Sequence, residues 1–76
     1  MKRRLATKES TWKLWDTVED MDLSIPLSVK ILKTIIHSMD EYTTTIKMQE
    51  ILDSSQSEEE ILEKVEVYYQ AIKGKN

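Results

Sequence analysis

The chain has 76 residues, a formal net charge of −3, one glycine, one proline and no cysteine. This length suits one domain with a thin core, and the lack of cysteine excludes disulfides and cysteine-based zinc sites. The scarcity of glycine and proline disfavours the tight turns of a small β domain. The composition therefore predicts one all-α domain over residues 1–76. The absence of cysteine also fits a reducing compartment, so we expect a cytoplasmic location.

The first helix is predicted over residues 8–21, with Thr7 or Ser10 as its N-cap. Three apolar residues at helical spacing form its inward stripe, flanked by two tryptophans. The stripe is Leu14, Val18 and Met21, and the flanking residues are Trp12 and Trp15.

The second helix is predicted over residues 27–39, because Pro26 suits a first helical turn. Ser28 is an alternative cap. Its predicted inward stripe consists of Ile31, Leu32, Ile35, Ile36 and Met39. Its opposite face carries Lys30, Lys33 and His37 at spacings of three and four residues.

Residues 40–53 have a threonine-rich start with strand-like composition, but no other segment alternates and could pair with a strand. We therefore predict a turn at 40–44 and a short helix at 44–53, with Met48, Ile51 and Leu52 facing inward. Four helices of this length predict a compact four-helix bundle over residues 8–73.

The last helix is predicted over residues 58–73. Ser57 and Glu60 have the spacing of a capping box, and Gly74 suits a helix stop. Six apolar residues then continue one stripe: Ile61, Leu62, Val65, Tyr68, Tyr69 and Ile72.

Catalytic chemistry finds little support in this sequence. His37 is the sole histidine, and the one glycine cannot form a phosphate-binding loop. Four acids near the end of the first helix lack the EF-hand pattern and read as a solvated face: Asp16, Glu19, Asp20 and Asp22. We therefore predict no catalytic, cofactor or metal site.

Charge is unevenly distributed along the chain. Residues 1–13 contain five basic residues and one acid, whereas the remaining residues contain six lysines and thirteen acids. The basic arm at 1–7 could contact nucleic acid or an acidic protein surface. With the basic face of the second helix and a tryptophan able to stack on bases, it gives a candidate nucleic-acid site of Lys2, Arg3, Arg4, Lys30, Lys33 and Trp12. The alternatives are an ordinary lysine-bearing solvent face and a core tryptophan.

Three segments are similar to helicase-and-RNaseD C-terminal (HRDC) domains. Residues 25–32 resemble the entry to the second helix of that family, residues 44–52 its short threonine-capped helix, and residues 60–72 its terminal helix. The chain as a whole also resembles small companion proteins of the recombination and repair helicases of T-even bacteriophage.

The resemblance implies an HRDC-like helical bundle that acts as a non-catalytic accessory module in phage DNA recombination or repair. It implies weak, structure-directed DNA binding and possible association with a DNA helicase, in the host cytoplasm if the chain is phage-encoded. We expect a monomer without membrane contact. The alternative is a small protein–protein interaction domain with no nucleic-acid contact.

Overall fold

The computed structural model describes residues 4–75, which form four helices joined by short turns. The helices are α1 (Lys8–Asp20), α2 (Ile25–His37), α3 (Glu41–Ser54) and α4 (Glu58–Lys75). Helix α1 packs mainly against α3 and α2 mainly against α4, while α3 also contacts α2 and α4. This arrangement confirms the predicted all-α four-helix bundle.

The core lies between the four helices and consists mainly of aliphatic side chains. Trp15, Leu23 and Tyr68 pack against it from its edge. The buried hydrophobic residues are Leu14, Val18, Leu27, Ile31, Ile35, Met48, Ile51, Leu52, Ile61 and Val65. Met48, Ile51 and Leu52 therefore confirm the inward stripe predicted for α3, whereas Met21 and Leu62 were predicted inward and are exposed.

Helix α1 ends in a Schellman motif whose left-handed residue is an aspartate. The Thr7 side chain caps the start of the helix, accepting from the Ser10 N–H. At its end the Leu23 N–H donates to the Val18 carbonyl, and the Asp22 N–H donates to the Glu19 carbonyl. Asp22 has φ = 52°, a conformation that usually selects glycine. This turn fixes where α2 begins.

Helix α2 spans residues 25–37, two residues earlier at each end than predicted. Ser38 is extended and buried, and its Oγ accepts from the Asp40 N–H and from the Thr44 hydroxyl, the latter at 2.6 Å. The predicted inward stripe is wrong for Leu32, Ile36 and Met39, which are exposed. Leu27 and Thr34 take inward positions instead.

Helix α3 begins at residue 41, so the predicted turn at 40–44 is wrong. The side chain of Asp40 accepts from the Thr43 N–H at 3.0 Å and from the Thr43 hydroxyl at 2.8 Å. These bonds satisfy donors of the first turn and lower the pKa of Asp40, with a smaller contribution from Arg4. An N-cap at Asp40 thus overrides the strand-like composition of the threonines that follow it.

Helix α4 begins as predicted, one residue after Ser57, whose Oγ accepts from the Glu60 N–H at 3.2 Å. In a capping box the Glu60 carboxylate would accept from the Ser57 N–H. Here Glu60 Oε1 accepts instead from the N–H of Gln56, one residue earlier, at 3.5 Å. Glu60 also pairs with Lys64, one helical turn later, at 2.8 Å. Gly74 lies inside the helix and is not its stop.

Candidate interaction surface

Two of the six residues predicted to bind nucleic acid, Lys2 and Arg3, lie outside the described residues. Arg4 is held against the junction of α2 and α3. Its N–H donates to the Met39 carbonyl, and its own carbonyl accepts from the Glu41 N–H. Its guanidinium lies 3.7 Å from the Asp40 carboxylate and 4.5 Å from the centre of the Tyr42 ring. At Arg4 the basic arm is therefore engaged with the bundle.

Lys30 is engaged with helix α4. Its Nζ lies 2.7 Å from Glu66 Oε2 and 4.2 Å from the centre of the Tyr69 ring. The hydrogen bond from Lys30, followed by one from Gln70, lowers the pKa of Glu66. His37 packs edge-on against the same Tyr69 ring. The charge of Lys30 is thus offset locally by an acid that lies far away in the sequence.

Lys33 and Trp12 are both exposed, but they lie on different helices. Lys33 is on α2, whereas Trp12 is on α1 and 66% exposed. Helical geometry places Lys8, Glu9 and Asp16 beside Trp12, at three and four residues. Of the four predicted residues that the structure describes, Lys30 and Lys33 lie on α2, Arg4 lies at the C-terminal end of α2, and Trp12 lies on α1.

The outer face of α2 carries a continuous aliphatic row that sequence reasoning missed. Its members recur at spacings of four, three and four residues, a heptad pattern. They lie opposite the inward residues Leu27, Ile31 and Thr34, because each residue advances about 100° around a helix. We name this row the outer α2 stripe: Ile25 (79% exposed), Val29 (43%), Leu32 (43%) and Ile36 (52%).

The charges beside the outer α2 stripe differ between its two ends. At the N-terminal end lies a cavity of about 310 Å³, lined among others by Pro26, Leu62, the acids Glu58 and Glu59, and the ion pair of Lys30 with Glu66. The carboxylate of Glu58 accepts from the Ser24 N–H at 3.3 Å, at the start of α2. On the same side of α2, the C-terminal half carries Lys33. Acids therefore border one end of the stripe and a base the other.

Two larger clefts lie on other faces of the bundle. The first, of about 720 Å³, lies between α3 and α4 and is floored by Ile51 and Tyr68. The second, of about 760 Å³, lies between α1 and α3 beside Gln49. The Gln49 amide donates to Thr17 Oγ1 and Asp53 Oδ1. Neither cleft contains a nucleophile–histidine pair, since His37 lies against Tyr69.

Among residues 4–75 there is no group of three or more histidine, cysteine, aspartate or glutamate side chains placed to hold a metal ion. None of the helices in this part of the chain is both long and apolar enough to cross a membrane. No protein-family model, curated protein or solved structure matches the chain.

Proposed function

We propose that the chain is a non-catalytic protein-interaction domain that binds through the outer α2 stripe. The observation that carries the proposal is four aliphatic side chains in one row on the solvent face of a helix. Isolated exposed apolar residues are ordinary, whereas a contiguous apolar patch is typical of an interaction site. Covering the row would contribute about 25 cal/mol for each Å² of apolar surface buried.

The charges of the described residues support a protein partner more than a nucleic acid. Lys30 is neutralised by Glu66, and Arg4 lies beside Asp40. Both cations would have to leave an acid to contact a phosphate. The outer α2 stripe offers no hydrogen-bond donors to a phosphate backbone, which dominates nucleic-acid affinity. It suits the apolar face of a helix.

Site-specific photo-crosslinking tests this proposal. A photoreactive amino acid replaces Val29 in the outer α2 stripe, and the matched control replaces Val67, which is exposed on α4. We expect discrete protein adducts from position 29 in the cells that express the chain, and not from position 67. Each adduct is identified by mass spectrometry and reconstituted from purified components. The absence of adducts specific to position 29 would contradict the proposal.

Weak DNA binding as an accessory to a helicase in phage recombination or repair is the second candidate. The resemblance to HRDC domains supports it, as do the exposed Lys33 and the partly exposed side chain of Arg4. Such binding would be non-specific, with a dissociation constant of roughly 10⁻⁴–10⁻⁶ M at physiological salt.

A backbone chemical-shift titration with single-stranded and forked DNA at low salt tests the second candidate. We expect shifts near Lys33 that Lys33→Glu removes and that fade steeply as salt rises. Lys33→Glu is a cleaner variant than Lys30→Glu, because the latter also breaks the ion pair with Glu66. Shifts that Lys33→Glu leaves unchanged would exclude α2 as the contact face, and no shifts at all would exclude this candidate.

A further inference from the structure

We infer that the outer α2 stripe binds a second copy of this chain, with the two α2 helices antiparallel about a twofold axis. This inference rests on the proposed function and names the partner of the same surface. It replaces the expectation of a monomer. The spacing of the stripe, the charges beside it and the length of the helix each bear on it.

The spacing of the stripe is self-complementary. Its four members are placed symmetrically about a point between residues 30 and 31. An antiparallel pair centred there sets Ile25 opposite Ile36 of the second copy, and Val29 opposite Leu32. A twofold interface requires this reciprocity, since each contact must occur twice. Heptad spacing lets such a row pack knobs into holes with a similar row.

The charges favour the antiparallel orientation. A twofold axis perpendicular to two antiparallel helices brings the same edge of each helix together. The edge that carries Lys33 on one copy then meets the end bordered by Glu58 and Glu59 on the other. A parallel pair would bring opposite edges of the two helices together, with the C-terminal halves side by side, and would not set Lys33 against the end bordered by Glu58 and Glu59. Opposite charges therefore meet on both sides of the twofold axis.

The length of α2 sets the strength of the interaction. Its thirteen residues extend only about 20 Å at a rise of 1.5 Å per residue. Such a contact lies at the small end of specific interfaces, which commonly bury about 800 Å² on each partner. We therefore expect a reversible dimer with a dissociation constant on the order of 10–100 µM.

Sedimentation equilibrium of the full chain, from about 5 µM to about 1 mM, brackets the expected dissociation constant and tests the inference. The mean mass should rise from one copy towards two. Val29→Glu should weaken dimerisation at least about tenfold, because it buries an unpaired carboxylate. The matched control, Val67→Glu, should dimerise like the unaltered chain. Circular dichroism of both variants verifies that they are folded.

A charge exchange tests the antiparallel arrangement. Lys33→Glu alone should weaken the dimer, and adding Glu59→Lys to the same chain should restore it. Failure of the second substitution to restore the dimer would overturn the antiparallel arrangement. A monomer at every concentration, or a dimer that survives Val29→Glu, would overturn the inference. If the inference of self-association fails, photo-crosslinks from position 29 to another protein would still support the proposed interaction domain. If such crosslinks are also absent, both the inference and the proposed function are wrong.

Discussion

The two faces of helix α2 are almost equally apolar, yet one is core and the other is surface. The inner face buries Leu27, Ile31 and Ile35 together with Thr34, whose hydroxyl donates to the Lys30 carbonyl at 2.8 Å. The outer face is entirely aliphatic along the outer α2 stripe. The buried face thus contains a polar residue, Thr34, whereas the exposed stripe contains none. Hydrophobicity alone does not identify which face of a helix meets the core.

The two faces differ in which other parts of the chain contact them. Ser38 and Thr44 bond to each other where the buried side of α2 meets α3, and Lys30 bonds Glu66 where α2 meets α4. These polar bonds lie on the buried side of α2 and beside α4, and neither involves a side chain of the outer α2 stripe. A stripe that the fold leaves exposed is available for a partner.

The largest expected difference between the two faces is in stability. Ile31→Ala removes a fully buried side chain and should lower the free energy of unfolding by about 3 kcal/mol, in the range for large-to-small core substitutions. Leu32→Ala, one residue along on the outer face, should cost less than about 1 kcal/mol. Urea denaturation of the two variants measures the difference. Equal losses would show that the faces are assigned wrongly.

A smaller loss is expected at the junction that ends α2. Asp40→Ala removes the cap of α3 and should lower the free energy of unfolding by about 1 kcal/mol. Asp40→Asn keeps an oxygen that can accept from the Thr43 N–H and should retain most of that stability. Thermal unfolding monitored by circular dichroism compares them. If Asp40→Ala is as stable as the unaltered chain, Asp40 does not cap α3, and the helix begins after the threonines instead.

A gain in stability is expected at the turn that precedes α2. Asp22→Gly should raise the free energy of unfolding by about 0.5 kcal/mol, because glycine adopts a positive φ without strain. Asp16→Gly is the matched control inside α1, where glycine should lower the free energy of unfolding by roughly 0.3 kcal/mol, because aspartate is itself a poor helix former. Chemical denaturation distinguishes a gain from a loss. If both substitutions lower the free energy of unfolding, Asp22 does not adopt the left-handed conformation that connects α1 to α2.

The smallest expected effect depends on pH and concerns the contact between α2 and α4. The pKa of Glu66 is lowered from its ordinary value of 4.5, chiefly by the hydrogen bond from Lys30. Its charged form therefore stabilises the fold above that value, and this contribution is lost as pH falls through the lowered pKa. Glu66→Gln should be less stable than the unaltered chain near about pH 7, with the gap closing towards about pH 3.

A double-mutant cycle assigns this pH dependence to the pair. In a Lys30→Met background, Glu66→Gln should have a smaller effect on the free energy of unfolding near about pH 7 than in the unaltered chain. An undiminished effect would mean that Lys30 does not stabilise the charged form of Glu66.

Local signals in the sequence located the starts of α1 and α4 and came within a few residues of the other helix ends. Thr7 and Ser57 bond to the first turns that they were expected to cap, and Pro26 lies in the first turn of α2. The start of α3 was missed because three threonines suggested a strand, although the aspartate before them could cap a helix. A search for N-caps ahead of that segment would have found it.

The surface was predicted less well, because its properties depend on contacts between distant residues. Nothing near Lys30 in the sequence shows that Glu66 lies 2.7 Å away. The exposure of Leu32 and Ile36 was hidden because two apolar rows on one short helix merge into a single hydrophobic run. The spacing of four, three and four from Ile25 was the available signal for a second row.

The most direct test of the two-face account measures the solvent exposure of methyl groups. A soluble paramagnetic probe is added to methyl-labelled protein, once at a concentration well below the expected dissociation constant and once well above it. At low concentration the methyls of Val29, Leu32 and Ile36 should relax much faster than that of Ile31, and at high concentration this difference should shrink. Outer methyls as protected as Ile31 in the dilute sample would contradict the account.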